Sequence, residues 1–385
     1  MRGASGTRPC WVASRCWMMY EKDASMISRF KPAVVLLCGL AACGRSNQPA
    51  ETATPAPASV PAAAPAGPPA LGVYVTNETG GDLTIIDAGA GTVVATVPLG
   101  KRPRGIVASP DRSVLYVALS GSPIGGPNVD ESKLPPPDRN ADGIGVFDIR
   151  QRKLVKTLPS GPDPEQVAIS ADGKQVYVAN EDAAQLSVID TGDGHLIQSF
   201  KIGEEPEGVT VEPSGKRVWV TSEADGAVFV ADLDTKKVAK SVKVGPRPRS
   251  IAFTPDGARA YVPSENGATL TQIDVKRLVP TKTIDLGKGM RPMGTRMSAD
   301  GKFLYVSTGR SKQALILDTA TDKVVGSVEA GDRPWGIGVS PDGKTLFTAN
   351  GPSDDVSVID IESRKVVKKI PVGHGPWGLA VVEAP

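Results

Sequence analysis

Histidine is almost missing from this chain of 385 residues, which carries only His195 and His374. Two isolated imidazoles cannot form a transition-metal cluster or supply an additional haem with ligands. The four cysteines, Cys10, Cys16, Cys38 and Cys43, all lie within the first 43 residues, so the remainder has no disulfide, no thiol nucleophile and no Cys-x-x-Cys-His haem attachment. A cytochrome is thereby excluded. Neither a Gly-x-Ser-x-Gly elbow nor a phosphate loop is present. Charge of one sign is also lacking, with 44 Lys and Arg against 42 Asp and Glu. Without residues 1–43 the balance is 38 against 40, which gives no global electrostatic argument for nucleic acid.

What is present is a repeat. An aromatic residue recurs at Tyr74, Tyr116, Tyr177, Trp219, Tyr261, Tyr305 and Phe347, at spacings of 42, 61, 42, 42, 44 and 42. Thirteen residues after six of these aromatics stands an aspartate: Asp87, Asp190, Asp232, Asp274, Asp318 and Asp360. In the long unit Asp148 is displaced by 19 further residues, which places an insertion between two strands. Each unit ends on a glycine and continues through a Pro-containing link such as Arg102-Pro-Arg-Gly105 or Gly375-Pro-Trp-Gly378. Short apolar, β-rich runs separated by Gly, Pro and Asp are strands and turns. Four such strands in ~40–45 residues form one propeller blade. The expected fold is all-β, a seven-bladed β-propeller of four-stranded blades. The chain enters at a second strand, Leu71-Gly-Val-Tyr-Val75, and leaves after a first strand, Gly378-Leu-Ala-Val-Val382. The C-terminal strand should therefore pair with the N-terminal strands and close the ring.

Tyr74-Val-Thr-Asn77, Tyr177-Val-Ala-Asn180 and turns such as Ser340-Pro-Asp-Gly343 resemble the YVTN β-propeller family over residues 71–385. That resemblance implies a bacterial or archaeal surface or periplasmic protein. It does not imply one activity, because members are linked to surface layers, periplasmic redox pathways and single-stranded DNA binding.

Residues 1–43 read as an N-terminal extension and signal. A basic segment, Met26-Ile-Ser-Arg-Phe-Lys31, precedes the apolar run Ala33–Cys43, too short to span a membrane, and translation is expected to start at Met26. Leu40-Ala-Ala-Cys43 resembles a lipobox, which implies lipidation of Cys43 and, with Gly44 following, the outer membrane. Residues 44–70 are rich in Ala and Pro and form a tether rather than a core. The expected setting is an envelope-anchored, monomeric ring facing the periplasm or the cell surface.

Repetition sorts structural residues from functional ones. The repeated aspartates, like Asp111, Asp172, Asp256, Asp300 and Asp342, are expected to accept turn backbone N–H groups. The linkers differ between blades, and there the candidates lie: Arg102, Arg104, Arg247, Arg249, Arg291, Arg333, Trp335, His374 and Trp377. Guanidinium forks and indole faces suit a small anionic or aromatic ligand, or a segment of an envelope protein. The alternative use of both tryptophans is to fill the channel mouth. On the same face, within the insertion at 120–144, Asp138, Asn140 and Asp142 match the start of a calcium loop, although Ile149 stands where a bidentate Glu would complete it. Calcium is the one cofactor the residues admit; otherwise none is expected. The reading is a non-enzymatic binding propeller. The alternatives are a lactonase-like hydrolase drawing on Glu165, Glu205 or Glu207 with Arg249 or His374, or a single-stranded nucleic-acid binder.

Overall fold

The computed structural model describes residues 67–125 and 129–385. Met26, Cys43 and the tether up to residue 66 lie outside the described residues. The described chain forms seven antiparallel sheets of four strands each, the seven-bladed propeller expected. Blade 1 combines Leu71–Asn77, Asp82–Asp87 and Thr92–Pro98 with the terminal strand Pro376–Glu383, and Val73 lies opposite Val381, Tyr74 opposite Ala380. Blades 2, 3 and 4 start at Pro103, Pro164 and Pro206. Blades 5, 6 and 7 start at Ala252, Thr295 and Pro334.

Second strands such as Gln175–Asn180 are buried on both faces because adjacent blades cover them, so they read as nearly continuous apolar runs. The repeated aromatic fills the space between blades, and Tyr74, Tyr177, Trp219, Tyr261, Tyr305 and Phe347 are each at most 2% exposed. Outer strands face solvent and are edged with lysine, as in Lys237–Lys243, which blunts their pairing with other chains.

All seven repeated aspartates accept the N–H three residues on, from Ala90 to Asp87 at 3.0 Å and from Ser363 to Asp360 at 2.7 Å at the two ends of the series. The hairpin aspartates accept from two residues on, as Lys344 to Asp342 at 3.1 Å. Their role is turn geometry. The glycine following most linker dipeptides serves the axis, where inner strands crowd: a Cβ on Gly336 would lie 2.6 Å from the Trp377 carbonyl oxygen.

The insertion packs on the linker face through two short 3-10 turns, Glu131–Lys133 and Arg139–Ala141. Arg102 Nη1 ties it down by donating to the carbonyls of Ser122 at 2.8 Å and Pro123 at 3.2 Å.

Candidate functional site

In each blade the residue after the linker proline points to the channel axis. Together these positions form a ring of Arg104, Glu165, Glu207, Arg249, Met293, Trp335 and Trp377. Arg104 pairs with Glu165, and Arg249 Nη1 lies 3.0 Å from Glu207. Trp335 and Trp377 stack with centroids 4.7 Å apart, tilted by 32°. Arg104 lies over Trp377 at 5.6 Å and Arg249 over Trp335 at 5.0 Å, so cation–π contacts join the charged arc to the aromatic one.

Above this ring the residue preceding the linker proline adopts left-handed backbone in six blades, with φ of 67° at Gly375 and, at non-glycine residues, of 39° at Arg102, 52° at Asp163, 50° at Glu205, 60° at Arg247 and 52° at Arg333. Non-glycine residues seldom adopt this conformation. It turns each carbonyl toward the residue just after the second strand, as when Glu181 N–H donates to Asp163 O, and Glu265 N–H to Arg247 O, both at 2.9 Å. Acidic side chains are thus brought beside the arginines: Glu78 lies 2.9 Å from Arg102 and 3.3 Å from Arg104, and Glu265 2.7 Å from Arg249. Glu223 bridges Arg247 and Arg249.

These four glutamates, Glu78, Glu181, Glu223 and Glu265, are the members of the charged bowl that sequence reasoning missed. The signal was available, since each follows the Asn or Ser that closes a second strand.

Charge in the bowl is unevenly compensated. Burial pushes the Glu207 carboxyl up to about 7, and nearby Glu223 adds to the effect against the pull of Arg249 and Arg104. Glu181 is also raised to about 7, by burial first and then by the charge of Glu207, with Arg104 opposing. Its side chain keeps 32% of its surface accessible, whereas that of Glu207 keeps 5%. Glu265, between Arg249 and Arg247, is held below the usual glutamate range. Arg333 stacks on Trp335 at 5.6 Å and has no ion pair among the described residues; burial lowers its pKa.

Of the nine candidates, seven converge: Arg102, Arg104, Arg247, Arg249, Arg333, Trp335 and Trp377. Arg291 stands apart, donating to Asn266, and His374 projects into solvent against Asp354 at 2.8 Å. Trp377 is 5% exposed, so its indole face is spent on the ring. Glu165 and Glu207 reach the same ring as Arg249, while Glu205 is exposed at the rim. Asp138 accepts from Lys101 at 2.7 Å and from the Asn140 N–H at 3.3 Å; Asp142 accepts from the Gly121 N–H at 2.6 Å and pairs with Arg139 at 3.1 Å. The insertion carboxylates thus order the loop. Asp163, Glu165 and Glu181 bring carboxylate oxygens within 4.8 Å of one another, but Arg104 already supplies positive charge there.

A model of the family described as "Lactonase, 7-bladed beta-propeller" matches residues 201–373, less than half of the chain. Antigen Lp49 of Leptospira interrogans is 27% identical over a stretch covering 28% of this chain and 30% of that protein. Two solved structures align over nearly the whole ring. The periplasmic gluconolactonase of Pseudomonas aeruginosa is 22% identical with TM-score 0.64, over 82% of this chain and 99% of that one. Hydrazine synthase of Kuenenia stuttgartiensis is 23% identical with TM-score 0.64, over 80% and 99%. At these identities the likeness is one of fold.

Proposed function

We propose that the bowl hydrolyses a lactone, the class of cyclic ester named for the matched family and for the Pseudomonas relative. The carrying observation is Glu181, a carboxyl raised to about 7, open to water and placed beside Arg104. A base with that pKa is half ionised at neutral pH, where general-base catalysis is most effective. The Glu181 carboxylate takes a proton from water as its oxygen bonds to the lactone carbonyl. Arginine charge at Arg104 and Arg102 opposes the developing oxyanion. The ring C–O bond then breaks, and the proton held by Glu181 passes to the departing alkoxide, giving a hydroxy acid. Arg333, without a counter-ion of its own, suits an anionic substituent on the substrate.

The test is pH-stat titration with δ-gluconolactone as probe. Turnover above the spontaneous rate should rise with pH through about 7, following ionisation of Glu181, and Glu181→Gln should lower it by roughly 10²–10⁴-fold. Wild-type turnover that survives this substitution would remove Glu181 from the role.

A second reading, binding of an anionic or aromatic ligand or an envelope protein without turnover, is favoured by the mutual pairing of ring charges and by Trp335, which remains half-buried at the mouth. Assignment to the YVTN group and anchoring through Cys43 complete the proposal. Labelled palmitate should enter the wild-type protein in cells and be absent from Cys43→Ala.

A further inference from the structure

Glu181 is placed by its backbone. Among the described residues its carboxylate accepts no hydrogen bond, and Arg104 Nη1 stands 3.9 Å away from it. Its main chain is held instead: the Glu181 N–H donates to the Asp163 carbonyl at 2.9 Å, and its own carbonyl accepts from the Ala184 N–H at 3.2 Å, closing the 3-10 turn Glu181–Ala183. Asn180, at the start of that turn, gives it no side-chain cap. A general base works only within hydrogen-bond reach of the proton it takes, so whatever fixes this turn fixes the base.

The insertion grips the turn from two sides. From its second 3-10 turn, Arg139 donates to Asp182, the residue next to Glu181. The same guanidinium donates to Asp142 at 3.1 Å and to the Ser122 hydroxyl at 3.2 Å, so its planar fork is held at both ends. On the other side Asp142 accepts the Asp163 N–H at 3.3 Å, and the Ser120 hydroxyl donates to the Asp163 carboxylate. Asp163 then presents the carbonyl that receives the Glu181 N–H. Asp142 can serve as this anchor because its side chain is 5% accessible and also accepts the Gly121 N–H at 2.6 Å. The Asp138 N–H donates to the Gly121 carbonyl at 2.9 Å, which joins the two ends of the insertion.

Nothing in the repeat asks for this arrangement. At the position of Asp182 the other blades carry Thr79, Gly121, Ala224, Asn266, Arg310 and Pro352. A carboxylate stands there in blade 3 alone, beside the one insertion that brings an arginine to it.

We infer that the insertion of blade 2 is a positioning clamp for Glu181, with Arg139 and Asp182 as its positioning residues. The inference rests on the lactonase reading for what Glu181 does, though not for how it is held. Arg139 and Asp182 keep 42% and 43% of their side-chain surface accessible, and a pair so exposed adds little to global stability. Its effect is local, on the turn that carries the base.

Two measurements on the full chain separate the clamp from the reading it serves. Amide hydrogen exchange followed by NMR reads the Glu181 N–H and needs no turnover. Arg139→Ala and Asp182→Asn should each speed its exchange by about tenfold or more, as local opening does. The melting midpoint should stay within about 2 °C of wild type in both. With δ-gluconolactone as probe, each variant should lower kcat by roughly 10–10²-fold at unchanged KM, the cost of a misplaced base. The double variant should be no worse than either single one, as for two members of one contact. Arg139→Lys should restore part of the rate, and Lys101→Ala, which breaks an exposed tie of the same insertion to Asp138, should match wild type. Unchanged Glu181 exchange in both variants overturns the inference. So does a Glu181-dependent turnover that Arg139→Ala leaves intact, or a loss of kcat that Lys101→Ala shares. Absence of turnover, or turnover indifferent to Glu181→Gln, refutes the lactonase reading instead, and the exchange rate alone then decides the clamp.

Discussion

Arg249 and Glu207 face each other at 3.0 Å within the ring, each side chain only 5% accessible. Glu223 and Glu265 approach the same guanidinium, and both also lie beside Arg247. Burial lifts the Glu207 pKa and neighbouring Glu223 adds to it against the pull of Arg249, which makes the arginine a structural counter-charge.

Replacing Arg249 with Met should therefore cost about 3–5 kcal/mol, the usual penalty for leaving buried charges without a partner. Urea denaturation at pH 8 reads the loss. The deficit should narrow at pH 5, where Glu207 is protonated and needs no counter-charge. A variant as stable as wild type at pH 8 would mean that water compensates the glutamates.

Glu207 also sets a pH dependence of opposite sign to that of most carboxylates. Its folded pKa of about 7 exceeds the unfolded value of 4.5, so the native state binds more protons between those limits. Stability is then lost as pH rises from about 4.5 to 7 and is constant outside that window as far as this group is concerned. Turn aspartates such as Asp300, held at about 2 by Ser298 and the Lys302 N–H, act the other way, and only at lower pH, below their unfolded value of 3.8. Glu207→Gln, which resembles the protonated acid, should match wild type at pH 4.5 and exceed it at pH 8 in midpoint. Parallel curves would contradict the raised pKa.

Burial separates the two tryptophans. Trp377 is 5% exposed, and truncation to Ala should cost about 3–5 kcal/mol through the cavity it leaves. Trp335 retains solvent contact and should cost less, while its removal also strips the stacking surface under Arg249 and Arg333. Thermal midpoints of the two single variants decide the order; equal losses would put both in the core.

The blades were legible because their determinants repeat: an aromatic every 42 residues in most units, an aspartate 13 later, a glycine at each close. The ring was legible in part, because the Pro-x-Gly links align and expose their own differences. Glu78, Glu181, Glu223 and Glu265 escaped, since their arginine partners stand 16–26 residues away along the chain for Glu78, Glu223 and Glu265, and in the link of another blade for Glu181, which meets Arg104, so that the blade closure is needed to bring them together.

Closure of blade 1 gives the last prediction. Pro376–Glu383 supplies the inner strand against Leu71–Asn77, burying Trp377 and Val382 and placing one ring residue. A chain ending at Gly375 loses that strand's hydrogen bonds and exposes the Leu71–Asn77 edge, which presents buried apolar residues Val73, Tyr74 and Val75. An uncovered apolar edge pairs with other chains. The truncated protein should therefore aggregate or elute as oligomers in size-exclusion chromatography, whereas removing only Ala384 and Pro385 should leave a monomeric ring. A monomeric, cooperatively melting 1–375 chain would show that six complete blades hold the fold without the terminal strand, and that the junction is a convenience of the repeat rather than the clasp of the ring.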